Sequence, residues 1–510
     1  MRFVKETEAN MAKKAYEGTM INTPQSEDDD SLNADTRIVS SQSEEGVKSG
    51  EELTSYIEDI ASTVRAGLEQ SVSILTPWFF NNMPRIYYQT TPRAEKVRHL
   101  SAIITGHVFE SKQTIELRDR ERKKVTYIGP GGKTDILLEM SEKLKGQPFK
   151  LGTIYFSSDK LLFLSTFLNS EFIPLDLTNE RIKEKIVAAR QSLAVEFPND
   201  IDSINKYLEN LDNDYVVYAN TERIHITYRM YRQMLGREGA QTFVEPFSGS
   251  HKVRLTLGIK HEQASDILGE VFQLIQRYGY QILRSVITRF TEGCESPITV
   301  MHFTISNDKE EKIDTESVPM QKLTKALRTL AWVDNDDFKV FMRDPFNFSI
   351  NAVNLLRSMS SWTHISLSKE NPYYFSEYKI FNTFLHYQEL CGDIVRFFRL
   401  KFDPQLAMKL EDRIAEVTKK SEELTTKINT NVVGDVERRI FFECVKFVKF
   451  LTKTNYFIPT KTGLAFRLDT KILNKDFYKE TPFAFFFVVG RDYRFFQVRW
   501  RDISRGGLRV

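Results

Sequence analysis

The sequence of 510 residues is poor in the residues that build metal sites and disulfides, since it has only three cysteines and eight histidines. Cys294, Cys391 and Cys444 are far apart and form no CxxC pair, and the histidines show neither HxxxH nor HExxH spacing. Zinc sites and disulfide frameworks rely on regularly spaced ligand residues. The sequence therefore predicts no metal site and no disulfide framework, which fits a reducing compartment.

An excess of charge of one sign is also missing. The chain has 71 Lys and Arg against 69 Asp and Glu, so its net charge is +2, and the basic residues are spread along its length. Proteins that bind nucleic acid concentrate basic residues in a patch or stripe. The sequence thus argues against a nucleic-acid partner.

Long hydrophobic runs do not occur. The longest unbroken apolar run, Phe483–Val489, is far shorter than the roughly 20 residues that cross a bilayer. The N-terminal stretch "MRFVKETEANMAKK" has no apolar core of a signal peptide and mixes acids with bases, unlike a transit peptide. We therefore expect no membrane partner and a cytoplasmic location.

Nucleotide-binding fingerprints are absent as well. The segment "GPGGKT" at residues 129–134 has Tyr127 where a phosphate-binding loop needs its first Gly, and Thr134 where GxGxxG needs its last. No GxSxG elbow of a serine hydrolase occurs. The segment predicts a tight turn between a strand and a helix, and no cofactor-binding site is predicted in this chain.

What the sequence does contain predicts a multidomain α+β protein, because 510 residues exceed a single core. Residues 1–50 include a Ser/Asp/Glu-rich stretch that predicts a disordered tail. Residues 51–248 alternate helical and strand patterns and predict an N-terminal α+β domain. Its first helix begins with Leu53, Ile57, Ile60, Val64 and Leu68 at helical spacing.

Residues 249–340 follow the order strand–helix–strand–strand–helix. This is the split βαβ plan of ferredoxin-like folds without an obvious last strand, and it resembles an ACT domain, a small module often attached to amino-acid enzymes. The helix has Ile267, Val271, Leu274 and Ile275 on one face. We therefore expect an ACT-like domain here.

Residues 341–454 predict a helical connector and residues 455–510 a set of strands that opens a new domain. The strand "FAFFFVVG" is apolar throughout, as expected of a strand that is covered on both faces. Such strands without further elements to cover them would promote aggregation. We therefore expect this last domain to be truncated in the chain.

The final decapeptide, "RDISRGGLRV", admits two interpretations. It is either a surface turn at the end of a strand, where Gly-Gly is common, or a loop at which a ligand approaches the backbone closely. In the second case Arg505 or Arg509 binds a carboxylate, because a guanidinium group contacts both carboxylate oxygens.

Longer stretches carry a family resemblance. The segments "KTNYFIPTKTGLAFRLD" and "PFAFFFVVGRDYRFFQVRWRDISRGGLRV", with "FFNNMPRIYYQTTPRAEKVRHLSAII" near the front, are similar to the large NAD-specific glutamate dehydrogenases. Those enzymes have an extended N-terminal region with ACT-like modules ahead of a dehydrogenase core. The resemblance covers most of residues 75–510 and implies that this chain is the N-terminal portion, ending in the first strands of the substrate domain.

The resemblance implies oxidative deamination of glutamate to 2-oxoglutarate and ammonium, with NAD as cofactor. Smaller glutamate dehydrogenases open the substrate domain with Lys-Gly-Gly-x-Arg, in which the Lys holds a substrate carboxylate. Here Arg505 takes the Lys position, Gly506 and Gly507 match the pair, and Arg509 matches the final Arg. These four residues are the expected substrate-binding residues.

The catalytic residues and the NAD-binding domain of the family are expected beyond Val510, so this chain alone is expected to be inactive. A homo-oligomer and a small-molecule allosteric effector are expected partners, because ACT-like modules often pair side by side and bind small amino acids at the joint.

Two alternatives stay open. The chain would be a non-enzymatic sensor or scaffold if its ACT-like module bound a ligand and residues 455–510 formed a sheet of their own. It would belong to a dehydrogenase for leucine, valine or phenylalanine if the substrate had no distal charge, but Arg505 favours a dicarboxylic substrate.

Overall fold

The computed structural model divides the chain into two compact units, Met1–Ala331 and Trp332–Val510. The predicted tail and the first part of the first predicted helix lie outside the residues that the structure describes. The described residues are 69–106, 113–119, 123–132, 135–169, 175–260, 264–291, 296–332, 336–343, 346–458, 461–473, 482–491, 493–500 and 507–509.

The first unit contains an antiparallel sheet of eight strands. The strands are β1 Ile115–Arg118, β2 Lys124–Pro130, β3 Leu151–Phe156, β4 Leu162–Leu168, β5 Ala240–Pro246, β6 Val253–Lys260, β7 Tyr280–Phe290 and β8 Ile298–Asn307. Their order across the sheet is β1-β2-β4-β3-β7-β8-β6-β5. The three strands predicted within residues 249–340 are confirmed as β6, β7 and β8.

Ten helices accompany these strands in the described part of the unit. They are α1 Glu69–Asn82, α2 Arg85–Thr90, α3 Arg93–Thr105, α4 Ile136–Leu144, α5 Glu180–Glu196, α6 Ile201–Glu209, α7 Asn213–Tyr218, α8 Thr221–Leu235, α9 Leu268–Arg277 and α10 Val318–Leu330. Side chains cap three of their N-termini: Asn179 for α5, Asp212 for α7 and Asn220 for α8.

The sheet consists of two halves with the same chain path. In the first half, β2 leads through α4 to β3, and β4 returns between them; in the second, β6 leads through α9 to β7, and β8 returns between them. This is the split βαβ arrangement. The two halves meet where β3 pairs with β7, with Thr153 opposite Val286.

Strand β5 lies beside β6, in the position of the last strand that residues 249–340 lack. This strand precedes β6 in the chain and pairs with it antiparallel, with Phe243 opposite Thr256. In the first half β1 has the equivalent position beside β2. The split βαβ plan places its fourth strand after the second helix, here α10. In this protein the strand in that position, β5, comes before β6 in the chain.

The two faces of the sheet are covered by different helices. The crossover helices α4 and α9 pack on each other, with Gly269 against Ser141, and Phe272 of α9 contacts Phe303 of the sheet. On the opposite face, α1–α3 form one core with Ile128 and Leu164, and α5–α8 form a second with Val286 and Val300. Because successive side chains of a strand point to opposite faces of the sheet, each strand contributes buried residues to both faces.

Gly131 and Gly132 of the segment "GPGGKT" form a turn between β2 and α4, as predicted, whereas Lys133 and Thr134 lie outside the described residues. The Gly131 amide donates to the carbonyl of Leu161 at 2.8 Å. A Cβ atom on Gly131 would lie 2.6 Å from the Lys160 carbonyl oxygen, whereas one on Gly132 would meet nothing within 4 Å.

Gly131→Ala is therefore expected to destabilise the first unit by roughly 1–3 kcal/mol, because the clash is with backbone that cannot rotate away. Gly132→Ala is the matched control and is expected to stay within about 0.5 kcal/mol of the parent. Urea denaturation of both variants measures the difference; equal stabilities would contradict the close packing of this turn.

In its described residues, the second unit combines five helices with a five-stranded antiparallel sheet. The sheet order is β13-β12-β11-β10-β9. The bounds are α11 Ile350–Leu367, α12 Glu377–His386, α13 Gln388–Phe402, α14 Leu410–Asn431, α15 Asp435–Phe450, β9 Leu451–Thr454, β10 Gly463–Leu468, β11 Ala484–Gly490, β12 Arg494–Arg499 and β13 Gly507–Arg509.

The predicted helical stretch is confirmed up to Phe450, and residues 451–454 form β9 instead. They pair with β10, where Thr454 lies opposite Phe466. Leu451 is buried and the two residues after it are exposed, which suits a short edge strand. So short a strand is not recognised in the sequence, because it follows directly on the helical pattern of α15.

Trp362 is at the centre of the core that joins α11 and α15 to the sheet. Its ring lies 5.5 Å from that of Phe447 and 5.9 Å from that of Phe487, measured between centroids. Strand β11 buries Phe485, Phe487 and Val489, while its alternate residues are half-buried. Its uniformly apolar sequence thus has one fully covered face and one partly covered face.

Candidate ligand-binding site

A cavity of about 70 Å³ lies in the first unit between the sheet and the helices of the face opposite the crossover helices. Its floor is formed by β2, β3, β4 and β7, and its walls by α2, α3, α7 and α8. The apolar lining includes Ile86, Leu151, Leu164 and Val286, and the polar lining includes Glu95, Lys124, Thr153, Thr166, Asp214, Tyr215 and Arg223.

The cavity lining includes a cluster of three charged side chains. Lys124 Nζ lies 2.7 Å from Glu95 Oε1 and 3.9 Å from Asp214 Oδ2. Burial lowers the pKa of Lys124, but the hydrogen bond and charge of Glu95 and the charges of Asp214 and Asp119 outweigh it, so the net shift is upward. Lys124 is therefore a firmly protonated cation between two carboxylates.

Arg223 lines the cavity from the first turn of α8. The residue is half-buried, and burial lowers the pKa of its guanidinium, with the charge of Arg254 acting in the same direction. None of the ion pairs or side-chain hydrogen bonds among the described residues involves this guanidinium group. A guanidinium nevertheless stays protonated in proteins. The cavity therefore contains a cation that no protein carboxylate neutralises within the described chain.

The backbone of Arg223 is held by two hydrogen bonds. Its amide donates to Asn220 Oδ1 at 2.9 Å, and its carbonyl accepts from the Thr227 hydroxyl at 2.7 Å. Because Thr227 donates its one proton there, Tyr215 and His302 must donate to Thr227 Oγ1, each at 2.8 Å. These hydrogen bonds fix the backbone of Arg223, to which its side chain is attached.

His302 completes this buried network under the cavity wall. Its Nε2 carries the proton that Thr227 accepts, and its Nδ1 lies 3.0 Å from Thr256 Oγ1, whose hydroxyl donates to it. Burial, together with the charges of Arg223, Arg254 and Arg284, holds the pKa of His302 well below 6.5. The imidazole is therefore neutral and serves as a fixed structural support.

The cavity residues were not identified from the sequence. They come from eight helices and strands between Ile86 and Val286, so no local motif contains them. A weak signal was present in α8, where Arg223 has the helical phase of the buried residues Thr227 and Tyr231. A charged residue in a buried stripe either finds a partner or lines a cavity.

The predicted substrate-binding residues are only partly described. Arg505 and Gly506 lie outside the described residues. Gly507 and Arg509 are in β13, where Gly507 pairs with Val498 and Arg509 with Phe496. The backbone from residue 507 to 509 thus continues the sheet of the second unit, and the binding role of these four residues stays a prediction.

Two of the three cysteines, Cys391 and Cys444, are buried and free; Cys294 lies outside the described residues. Among the described side chains, no group of three His, Cys, Asp or Glu is arranged to hold a metal ion. Within the parts of the chain that the structure describes, every helix falls short of the length and apolar character that a bilayer crossing requires.

Comparisons with known proteins identify relatives of the chain. Glutamate dehydrogenase 2 of Dictyostelium discoideum is 36% identical over 154 residues, which are 30% of this chain and 14% of that protein. The probable NAD-specific glutamate dehydrogenase of Schizosaccharomyces pombe is 21% identical over 489 residues, covering 83% of this chain and 43% of the relative. The NAD-specific glutamate dehydrogenase of Saccharomyces cerevisiae is 37% identical over 97 residues, 19% of this chain and 9% of that enzyme. No family model matches the chain.

These similarities support the predicted resemblance: the chain is similar to glutamate dehydrogenases, among them NAD-specific enzymes. It spans less than half the length of each of these curated relatives.

Proposed function

We propose that this chain is the N-terminal part of an NAD-dependent glutamate dehydrogenase, which converts glutamate to 2-oxoglutarate and ammonium. The observation that carries the proposal is the similarity to a probable NAD-specific glutamate dehydrogenase over 83% of the chain. Because the chain corresponds to 43% of that relative, the proposal assigns the catalytic residues to the remainder of a longer protein.

The strand pairing supports a division of labour in which NAD is bound elsewhere. The strand pairs in both sheets of the described chain are antiparallel. A dinucleotide-binding domain is built on parallel strands, with the pyrophosphate at the turn between the first strand and its helix. In this proposal the described chain positions or regulates the catalytic part and does not transfer hydride.

Residues 455–510 begin the substrate domain in this proposal, and Arg505, Gly506, Gly507 and Arg509 bind glutamate. A guanidinium at position 505 keeps the positive charge that a dicarboxylic substrate needs but differs from Lys in reach and geometry. The extension of the sheet by β13 up to Arg509 is compatible with this role.

The eight-stranded sheet of the first unit supports a regulatory role. Its two split βαβ halves have the same path and pair edge to edge through β3 and β7. We propose that both halves are ACT-like modules, that they respond to a small-molecule effector, and that the enzyme is a cytoplasmic homo-oligomer.

The proposal is tested by measuring glutamate-dependent NADH formation. The purified chain alone is expected to show none above background, and the full-length protein is expected to be active. Arg505→Gln and Arg509→Gln in the full-length protein are each expected to lower kcat/KM for glutamate by roughly 10-fold or more, since each removes a charged hydrogen-bond donor.

Arg499→Gln is the control, because Arg499 is exposed at the end of β12 and is expected to leave kcat/KM unchanged. Turnover by the chain alone would contradict the division of labour. A full-length protein without amino-acid-dependent NADH formation would overturn the enzyme assignment, and a preference for leucine, valine or phenylalanine would overturn glutamate as substrate.

A further inference from the structure

Arg223 is a cation in the lining of the cavity of the first unit, and no carboxylate of the described residues lies within 4.0 Å of its guanidinium. The acids around it pair with other cations: Glu222 contacts Arg254 at 2.7 Å, and Glu95 contacts Lys124, also at 2.7 Å. Burial of a charge without a partner is costly. An anion in the cavity would therefore gain a charged hydrogen bond that the described protein does not make itself.

A row of hydroxyl groups crosses the floor of the cavity. Residues that lie directly opposite each other in antiparallel strands share one face of the sheet. Thr126 lies opposite Thr166, and Thr166 lies opposite Thr153. The hydroxyls of Thr126 and Thr166 are hydrogen-bonded to each other at 3.0 Å, whereas the hydroxyl of Thr153 has no partner among the described residues. Thr153, which lines the cavity, can therefore hydrogen-bond a ligand.

The size and the apolar part of the lining restrict the ligand further. At about 10–15 Å³ for each water-sized atom, the cavity of about 70 Å³ holds on the order of five to seven non-hydrogen atoms. Leu151, Leu164 and Val286 also line it, which suits a methyl or ethyl group. A carboxylate fits the planar guanidinium of Arg223 best. A short carboxylic acid with one further oxygen atom complements all of these features.

The acidic residues of the lining argue against a second positive group on the ligand. Lys124 Nζ already contacts the carboxylate of Glu95 at 2.7 Å and lies 3.9 Å from that of Asp214. An ammonium group of a ligand would compete with Lys124 for the same carboxylates and would place two cations side by side, which is unfavourable. The cavity therefore favours an anion without an amino group.

We propose that this cavity binds a short 2-oxo or 2-hydroxy monocarboxylate of the size of pyruvate or lactate. Arg223 binds the carboxylate, the hydroxyl of Thr153 hydrogen-bonds the oxygen at C2, and the methyl group contacts the apolar lining. The site lies on the face of the sheet opposite the crossover helices α4 and α9. Only the link from binding to enzyme regulation rests on the proposed function; the binding itself is a property of this chain.

Isothermal titration calorimetry on the purified chain tests the site. Pyruvate and lactate are expected to bind measurably. Pyruvamide, the neutral analogue of pyruvate, is expected to bind roughly 10-fold more weakly or less, and propionate, which lacks the oxygen at C2, roughly 3-fold more weakly or less. Absence of binding by both pyruvate and lactate would overturn the site.

Alanine and inorganic phosphate test the class of ligand in the same experiment. Each is expected to bind roughly 10-fold more weakly than pyruvate or less, because alanine adds an ammonium group beside Lys124 and phosphate has no apolar part. Equal affinities for alanine and pyruvate would overturn the preference for a ligand without an amino group. Equal affinities for phosphate and pyruvate would overturn the role of the apolar lining.

Two variants separate binding from folding. Arg223→Met is expected to abolish measurable pyruvate binding and to unfold at the same or a higher urea concentration than the parent, because it removes a charge that no described carboxylate neutralises. Thr153→Val is expected to weaken pyruvate binding roughly 3- to 10-fold and to leave propionate binding unchanged, since propionate has no oxygen at C2. Arg237→Gln, exposed just after α8, is the control and is expected to bind pyruvate like the parent.

Either variant can contradict the assignment of its residue. Pyruvate binding by Arg223→Met at the affinity of the parent would overturn the role of the guanidinium. An equal loss of pyruvate and propionate binding in Thr153→Val, or no loss of either, would overturn the hydrogen bond from Thr153 to the oxygen at C2.

The outcomes for this site and for the proposed enzyme are independent. Pyruvate binding by the chain, lost in Arg223→Met and weakened in Thr153→Val, supports the site even if the full-length protein oxidises no glutamate. A full-length protein that oxidises glutamate, with a chain that binds neither pyruvate nor lactate, overturns the site and leaves the enzyme assignment in place.

Discussion

Replacement of Trp362 by alanine is expected to lower the free energy of unfolding of the second unit by about 3–5 kcal/mol. The indole is 5% exposed and packs against Phe447, Phe485, Phe487 and Phe496. Alanine would leave a cavity among rings that belong to α15, β11 and β12 and cannot all close over it. The expected loss is a large part of the stability of an ordinary domain.

The indole has a second role that increases the cost. Its Nε1 donates a hydrogen bond to Glu443 Oε1 at 3.0 Å, and the Ser366 hydroxyl donates to the same oxygen at 2.8 Å. The Glu443 carboxylate is buried, so the loss of a donor leaves part of its charge uncompensated. Trp362→Phe keeps most of the ring contacts and loses only this donor, and it is expected to cost about 1–3 kcal/mol.

The matched control for this experiment is Tyr373→Ala. Tyr373 is an aromatic residue of the same unit whose side chain is 86% exposed, so its removal is expected to change stability by less than about 0.5 kcal/mol. Because the chain has two units, hydrogen exchange of the amides in α15 and β11 under denaturant is a better measurement than one global transition. A loss below 1 kcal/mol in Trp362→Ala would contradict the central position of this residue.

Acidification from pH 7 to pH 5 is expected to destabilise the first unit by about 2 kcal/mol through His99 alone. Burial, and then the charges of Arg98 and Lys124, lower the pKa of His99 to about 3. The unfolded chain therefore binds a proton below pH 6.5 that the folded chain does not bind. Stability falls as the pH drops from 6.5 towards 3. His302, buried in the network with Thr227 and Thr256, acts in the same direction.

The double variant His99→Gln/His302→Gln is expected to have a weaker dependence of stability on pH between 7 and 5, measured by urea denaturation at both values. Tyr87→Phe is the matched control. It removes the hydrogen bond between Tyr87 and His99 Nδ1, which is 2.9 Å long, but keeps the titrating imidazole. Its stability is expected to be lower at both pH values with the same slope. An unchanged slope in the double variant would refute the assignment.

The fold of the first unit shows which features local sequence patterns predict and which they do not. Strands β7 and β8 and helix α9 were predicted in their observed order, because their periods of 2 and 3.6 residues are sustained over many residues. Local patterns do not specify which strands become neighbours. The pairing of β5 with β6 and of β3 with β7 joins segments whose contact depends on the sheet as a whole.

The second unit shows that local sequence patterns also fail to predict how deeply each face of a strand is buried. The run "FAFFFVVG" predicts a strand correctly, but its composition does not reveal that Phe486 and Val488 are only half-buried. Burial on the second face depends on which elements pack there, and this information is not contained in the run itself.

The sequence by itself determined the α+β class, the absence of metal and phosphate-binding motifs, and the resemblance to glutamate dehydrogenases, because these follow from composition, periodicity and stretches of continuous similarity. Only the tertiary structure decided the common path of the two sheet halves and the cavity that Arg223, Glu95 and Asp214 line together. The physical reason is that a binding cavity is defined by distances across the fold, and residues more than a hundred positions apart acquire those distances only when the sheet and its helices have packed.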